Sequence, residues 1–496
     1  MITKVIFILF LNIILPNQIY VGLQMLDQVG IINAQTLQLE EVVSTDFNDN
    51  MSCMDYSDQM SCDMVNGCEW SMGMCMESSD ACMDYSDQMS CDMVNGCEWS
   101  MGMCMESSGG MQMSNNTPHF VAIDEVNGYW FVTTIASGYI AQFNLITNEF
   151  IDKIFVGDSP ALLTLNKHDQ KLYCSRMMPM GNMMSGAESS IIHEIDYSGN
   201  MLVTLNQFEI PSPAPHGISI NSDGSEIYVA SNTADWIYKI TPYSGEITGS
   251  VMDSEINNAS NIESQRLKPI QCLSVSDSLL FVTCSGGEWY DPWDGSQEQI
   301  PGEVQLWNTN TMTKISSYPF AWNSSPWHII NSPNEEKIYI SLGGDTLYPE
   351  SSGVVALTYE NFEFNIEWLT TDEIFQTLHG ISISDDGSYI YASGRGDGHL
   401  HVLNSSDGVL LNSVALSPSG DMVMAGGTAF FGGYQLGDLN NDDIFDIFDI
   451  ILLVSYILNN LDNYNVALFE FSGDVTSDSV IDILDVLALI SIIMSN

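Results

Sequence analysis

The feature that most constrains this chain is a pattern that returns six times between His119 and Leu416, at intervals of roughly 40–55 residues. The units begin at Pro118, Pro160, Pro215, Pro269, Pro326 and Leu378. Each opens with an alternating apolar run, such as PHGISI from Pro215 or LHGISI from Leu378. A turn such as SDG or DDG follows, then an aromatic-rich run such as EIYVAS or YIYASG. After a loop of variable length comes a third run (YIAQFNL, IIHEIDY, WIYKITP, GEVQLWN, GVVALTY, HLHVLNS), and a tight turn leads to a fourth. Period-two alternation buries one face of each run. Four short strands cannot bury those faces alone, so the units must pack around a common axis. The expected fold is mainly β: a six- or seven-bladed β-propeller over residues 111–434. Residues 417–433 are expected to supply part of a seventh blade, completed by a strand from residues 35–50 or 111–117.

On these repeats, residues 118–433 resemble the YVTN-type β-propeller family. In a propeller, the turn leading into each innermost strand and the loop between the second and third strands share one face. His119, His216 and His379 hold the same position in blades one, three and six, and His328 lies one residue further on in blade five. Four of the eight histidines should therefore ring the channel mouth. Two readings stay open for them. Imidazole beside thioether suits copper, and the blade-two loop carries Met177, Met178, Met180, Met183 and Met184. Alternatively they are structural, because a Pro-His-Gly lead-in is a turn and packing feature in the resembled family. Trp289, Tyr290 and Trp293 in the blade-four loop either stack on sugar rings or pack on one another. Blade six contributes Arg395, Asp397 and His399, and the adhesive-like tripeptide at Arg395 reads as a turn.

The last sixty residues carry a duplicated loop. GDLNNDDIFDIFDIILL over residues 437–453 is matched by GDVTSDSVIDILDVLAL over residues 473–489. Positions 1, 3, 5, 9 and 12 of the first loop are Asp438, Asn440, Asp442, Asp446 and Asp449; in the second they are Asp474, Thr476, Asp478, Asp482 and Asp485. The backbone carbonyls at position 7 belong to Ile444 and Val480. Calcium takes six to eight oxygen ligands, and this spacing wraps a loop around one ion. An apolar helix follows each loop. On that pattern residues 435–496 resemble the type I dockerin, a secreted module of two calcium loop–helix units. The resemblance implies a small α-helical domain, two calcium ions and a cohesin-like or other surface protein as partner. Two departures weaken the match: the position-6 glycine is replaced by Asp443 and Ser479, and Thr476 is a weaker ligand than Asp or Asn. The residues before the last ligand, Ile447–Phe448 and Ile483–Leu484, carry partner recognition in the family but are more apolar here than usual. They either meet a different partner or pack inward.

Residues 53–79 and 82–108 are identical. Each copy has four cysteines: Cys53, Cys62, Cys68 and Cys75, then Cys82, Cys91, Cys97 and Cys104. A unit this short cannot build a core and needs staples, so each copy is expected to hold two disulfides of undetermined connectivity. Methionine-rich as well, residues 53–110 read as a stapled spacer, with a soft-metal site as the alternative. In the propeller, Cys272 and Cys284 are expected to face each other and form a bridge, leaving Cys174 buried.

The N-terminus places Lys4 before an apolar run from Val5 to Leu15, too short to span a bilayer. It reads as a secretory signal peptide over residues 1–24, or to residue 34, followed by a linker over 25–52. No later segment spans a membrane. Secretion or cell-surface display is the implied location. Eleven Lys plus Arg against 64 Asp plus Glu give a net charge of -53, which argues against nucleic acid and anionic membrane as partners, since both need a basic face.

No nucleophile elbow, phosphate loop, H-E-x-x-H or carboxylate pair assigns a reaction, and fold alone does not supply one. The sequence favours an exported, non-catalytic binding protein with an unknown propeller ligand and a calcium-dependent docking module. Two alternatives stay open. One is a secreted enzyme, copper-dependent or acting on polysaccharide, with its site at the histidine-lined mouth. The other is a structural adhesion or surface-layer protein.

Overall fold

The computed structural model describes residues 14–46, 116–157, 159–176, 190–199, 201–252, 266–290, 295–345, 347–417, 423–442, 444–460 and 466–495, together with the strands Cys68–Ser71, Met74–Glu77, Cys97–Ser100 and Met103–Glu106. It divides into two units, residues 44–115 and the remainder. Among the described residues of the larger unit, seven four-stranded antiparallel sheets form the blades of a propeller.

The first strands of the blades are Pro118–Asp124, Pro160–Asn166, Pro215–Ile220, Pro269–Ser276, Pro326–Asn331, Leu378–Ile383 and Ala425–Phe431. Each contacts the first strand of the next blade, and the last contacts the first, so these strands wall a central channel. Core clusters straddle neighbouring blades: Phe131 and Ile140 of blade one pack with Leu163, Leu172 and Ile195 of blade two. Tyr339 and Val354 of blade five pack with Ile381 and Ile390 of blade six. Burying each such side chain is worth about 1.5–3 kcal/mol, and the gain is realised only when two blades meet.

The seventh blade departs from the sequence expectation. Its innermost strand, Ala425–Phe431, comes from the C-terminal side and its outermost, Gln38–Ser44, from the 35–50 stretch, both as anticipated, but Gln18–Leu23 and Gln28–Asn33 lie between them unanticipated. Every residue of Gln18–Leu23 is buried. The expected signal-peptide and linker boundaries are therefore corrected: cleavage after Val21 or Ala34 would remove a core strand, and residues 25–52 are not a plain linker. The alternation QIYVGL was hidden because it continues an apolar leader. Ile14–Leu15 pairs with Tyr434–Gln435.

The expected Cys272–Cys284 bridge is also corrected. Both thiols are free and buried. Cys272 lies opposite Val282, while Cys284 lies opposite Pro269. The bulge between Pro269 and Gln271 shifts the register that the bridge needs. Burial pushes the Cys272 thiol well above its ordinary pKa.

In the smaller unit, Cys68–Ser71 pairs with Met74–Glu77, and Cys97–Ser100 pairs with Met103–Glu106 in the identical register. The side chains of Cys53, Cys62, Cys68, Cys75, Cys82, Cys91, Cys97 and Cys104, on which the disulfide expectation falls, lie outside the described residues.

Three helices close the chain: α1 (Ile447–Ile457), α2 (Val466–Ser472) and α3 (Ile483–Ser495). Leu439, Leu453, Phe469, Val475, Val486 and Leu489 form their own core. The Tyr434 hydroxyl donates to the Glu125 carbonyl of blade one, and its ring lies 6.2 Å from that of Phe471. Among the described residues no helix is long and apolar enough to cross a membrane.

Candidate functional site

The channel end of the propeller is built by a repeated irregularity. Thr117, Ser159, Ala214, Lys268, Ser325 and Thr377 each take a left-handed φ of 47–54° immediately before the first strand of blades one to six. None is glycine, so each conformation costs about 1–2 kcal/mol that packing must offset. A β-bulge follows. In blade one the register slips between Pro118 and Val121, in blade three between Pro215 and Gly217, in blade five between Pro326 and Ile329, and in blade six between Leu378 and Ile381. His119, His216, His328 and His379 each lie inside one of these bulges, a device that re-aims a side chain.

Bulged N–H groups lose their ladder partners, and hydroxyls on the second strands replace them. Ser341 Oγ accepts from His328 N–H at 3.1 Å and donates to the His379 carbonyl of the next blade at 2.6 Å. Ser393 does the same between Gly380 and Gly426, and Thr133 between Phe120 and Ala161. In blades one, five and six the hydroxyl thus joins the blade to its neighbour, whereas Ser175 of blade two bonds back to Leu162 of its own blade.

The structure brings the four expected histidines together. All are buried, at 0 to 3 % exposure. Ring centroids lie 4.7 Å apart for His328 and His379, 5.1 Å for His119 and His379, and 6.5 Å for His119 and His216. His216 Nδ1 donates to the Ile270 carbonyl at 2.5 Å, which leaves Nε2 as a lone pair. His119 Nδ1 meets Gln24 Nε2 at 2.9 Å. The Nε2 atoms of His119 and His328 and both ring nitrogens of His379 are buried without a hydrogen-bond partner. Burial holds all four imidazoles below their ordinary pKa, to about 3 for His328. Neighbouring imidazoles and Arg395 add to the effect at His119 and His379. The rings are therefore neutral at pH 7. His328 alone of the four lines a cavity of about 360 Å³, which is walled by Phe120, Leu163, Ile330, Ile381 and Phe430 and has Lys167 as its other basic side chain.

Other expected site residues are dispersed. Trp289 is partly buried against the blade-four core and carries the Arg266 guanidinium 4.9 Å from its ring centre. That face is already covered, which leaves Tyr290, 61 % exposed, as the open ring; Trp293 and the blade-two methionines lie outside the described residues. Arg395 begins a turn, as expected: its N–H bonds Thr377 O, and the Asp397 carboxylate accepts from the Gln376 and His399 N–H groups. Asp397, His401 and Ser413 form a hydrogen-bonded chain that the sequence reading missed. His401 is fully buried and Asp397 is committed to backbone, so the chain pins the loop and presents no nucleophile.

The two C-terminal loops share most of their bonding scheme, though the last carboxylate takes the N–H of the second residue in the first loop and of the third in the second. Asp449 accepts from Leu439 N–H and Asp446 N–H, and Asp485 from Thr476 N–H and Asp482 N–H. Asp438 accepts from Asp442 N–H and Asp474 from Asp478 N–H. Asp446 and Asp482 cap α1 and α3 through Phe448 N–H and Leu484 N–H. Asp438, Asp449 and Asp485 are fully buried. Burial, with Asp442 adding, raises the Asp449 carboxyl above its ordinary pKa. Ser479 takes φ 68° where the family's glycine would sit without strain; Asp443 lies outside the described residues. The pairs Ile447–Phe448 and Ile483–Leu484 face solvent at 51–61 % exposure and do not pack inward. Among the described residues, no three His, Cys, Asp or Glu side chains already converge as a metal-holding group.

Fold and channel define a seven-bladed β-propeller protein. No family model matches the chain, and no curated protein matches it. Among solved structures it is similar to the Kuenenia stuttgartiensis hydrazine synthase, at 14% identity and TM-score 0.48, over 64% of this chain and 92% of that one. It is also similar to a putative 6-phosphogluconolactonase from Bacteroides fragilis, at 12% identity and TM-score 0.47, over 67% and 91%. The Cps50 (Swd1) β-propeller domain of Myceliophteria thermophila shares 11% identity at TM-score 0.47, over 62% and 88%. Likeness at this level lends the chain no activity or partner.

Proposed function

We propose that this is an exported, non-catalytic binding protein whose propeller is a ligand- or partner-binding head and whose C-terminal module docks in a calcium-dependent way. The carrying observation is the matched pair of loops. In each, a buried carboxylate (Asp449, Asp485) closes the loop directly behind an exposed apolar pair (Ile447–Phe448, Ile483–Leu484). Asp438, Asn440, Asp442, Asp446 and Asp449, with the Ile444 carbonyl, would hold one ion; Asp474, Thr476, Asp478, Asp482 and Asp485, with the Val480 carbonyl, would hold the second. The donor set is all oxygen, as a hard cation requires. The bound ion would neutralise buried carboxylates and fix the angle at which the apolar pairs are shown. Export is consistent with the basic and apolar N-terminus, provided that cleavage falls before Gln18.

The test is binding of the full-length protein to an immobilised cohesin domain, with calcium and then with chelator. Calcium-dependent binding that is lost on changing Phe448→Asp and Leu484→Asp supports the reading. Binding indifferent to chelator contradicts it.

A further inference from the structure

Resting on the reading of the propeller as a binding head, we propose that its channel takes one uncharged small molecule, a largely apolar body carrying a hydroxyl or carbonyl group. The channel cavity of about 360 Å³ falls within the usual range for ligand sites, roughly 300–1,000 Å³. First strands from six of the seven blades, all but blade three, contribute to its lining, so the site exists only in the closed ring. It runs from His328, near the start of one first strand, to Lys167, just past the end of another. The Phe120 ring of blade one reaches across to the His328 ring of blade five, with centroids 5.8 Å apart and planes at 83°. That contact forms a floor on the side of the buried histidines. Lys167 marks the other end, where it stays partly exposed to solvent.

The lining sets the chemistry of the ligand. Phe120, Ile330, Ile383 and Phe430 pack on the blade cores yet are only partly buried, so an apolar body can cover what they leave open. Ser382 and Thr428, 7 % and 6 % exposed, bury hydroxyls that have no hydrogen-bond partner, and His328 does the same with Nε2. A buried polar group left unpaired is costly. A ligand hydroxyl or carbonyl relieves that cost, and a Ser or Thr hydroxyl can swing between staggered wells to meet it. The side-chain oxygen of Gln271 accepts from Ile329 N–H at 2.8 Å, which leaves its amide N–H groups as further donors. All of these groups are neutral. Lys167 is already paired with Glu125 at 2.5 Å, and burial keeps His328 uncharged at pH 7. An anion would thus find the lining's cation taken, on a chain of net charge -53. A cation would find no carboxylate among the described lining residues.

The experiment is equilibrium dialysis of the full-length protein at pH 7 against three probes of one shape: naphthalene, 2-naphthol and 2-naphthoate. One equivalent of 2-naphthol should bind, naphthalene more weakly, and 2-naphthoate not at all. Ser382→Ala and Thr428→Val remove hydroxyls that bond nothing in the protein, so both variants should fold. Each should weaken 2-naphthol by about two- to tenfold per hydrogen bond lost and leave naphthalene unchanged. Ile383→Trp, which fills the cavity, should abolish both; if it does not fold, the two hydroxyl variants decide. Uptake of 2-naphthoate in preference to 2-naphthol, blocked by Ile383→Trp, would overturn the chemistry assigned here and leave the binding head standing. Uptake indifferent to all three substitutions would place the probes elsewhere and overturn the site. No uptake of any probe would overturn the site and count against the binding head as well. None of these outcomes depends on the C-terminal module.

Discussion

His328 and His379 belong to adjacent blades, yet their rings meet edge to face with centroids 4.7 Å apart and planes at 67°. One hydroxyl sets this meeting. Ser341 Oγ binds the N–H of the first residue and the carbonyl of the second. The same contact that holds two blades together thus positions the channel imidazoles.

Ser341→Ala should leave the His328 N–H buried without an acceptor. The expected loss is about 1–3 kcal/mol of stability, measured by urea unfolding. Loss of a few tenths or less would show that the hydroxyl is not a clamp.

Neighbouring first strands approach so closely that a Cβ on Gly380 would sit 2.6 Å from Thr428 N and 2.7 Å from Gly426 O, both backbone atoms. Gly380→Ala should therefore cost about 1–3 kcal/mol at the closure between blades six and seven. Thermal unfolding of the variant checks it.

Acid should weaken the propeller. The four channel histidines titrate below the ordinary imidazole value in the folded state, as burial disfavours their charged form. The unfolded chain thus binds more protons below about pH 6.5. Their contribution is complete above that pH and is lost as pH falls toward the folded value of about 3 for His328. His328→Asn should make this acid limb shallower in a pH series of unfolding curves.

The C-terminal module should respond in the opposite sense without calcium. The Asp449 carboxyl is raised by burial, so its contribution is complete below the unfolded value near 3.9 and is lost as pH rises through the folded value. With chelator, helix signal from the module should be more stable at pH 4.5 than at pH 7. Calcium should reverse the order, because it binds only the ionised loop.

Six blades were legible because each keeps its alternation and its turn in one stretch of sequence. The seventh was legible only in part, through its innermost and outermost strands. Ala425–Phe431 and Gln18–Leu23 pair across about four hundred residues, and nothing local ties them. The histidine ring was legible as a shared position after Pro or Leu. Its inward aim was not, because the bulges and the left-handed residues before them have no residue signature: Ala214 and Lys268 take the same φ as Ser325 within a few degrees. The Ser and Thr clamps were visible as letters, but their partners lie on another blade. In the C-terminal loops side-chain chemistry itself carries the periodicity, so both were readable; only the exposure of Ile447–Phe448 and Ile483–Leu484 needed the helices' packing.

The most direct test of the account is calorimetric titration of the chelator-treated full-length protein with calcium. Two bound ions are expected, with Asp449→Ala and Asp485→Ala each removing one. No calcium-dependent heat, or a stoichiometry unchanged by both substitutions, would contradict it.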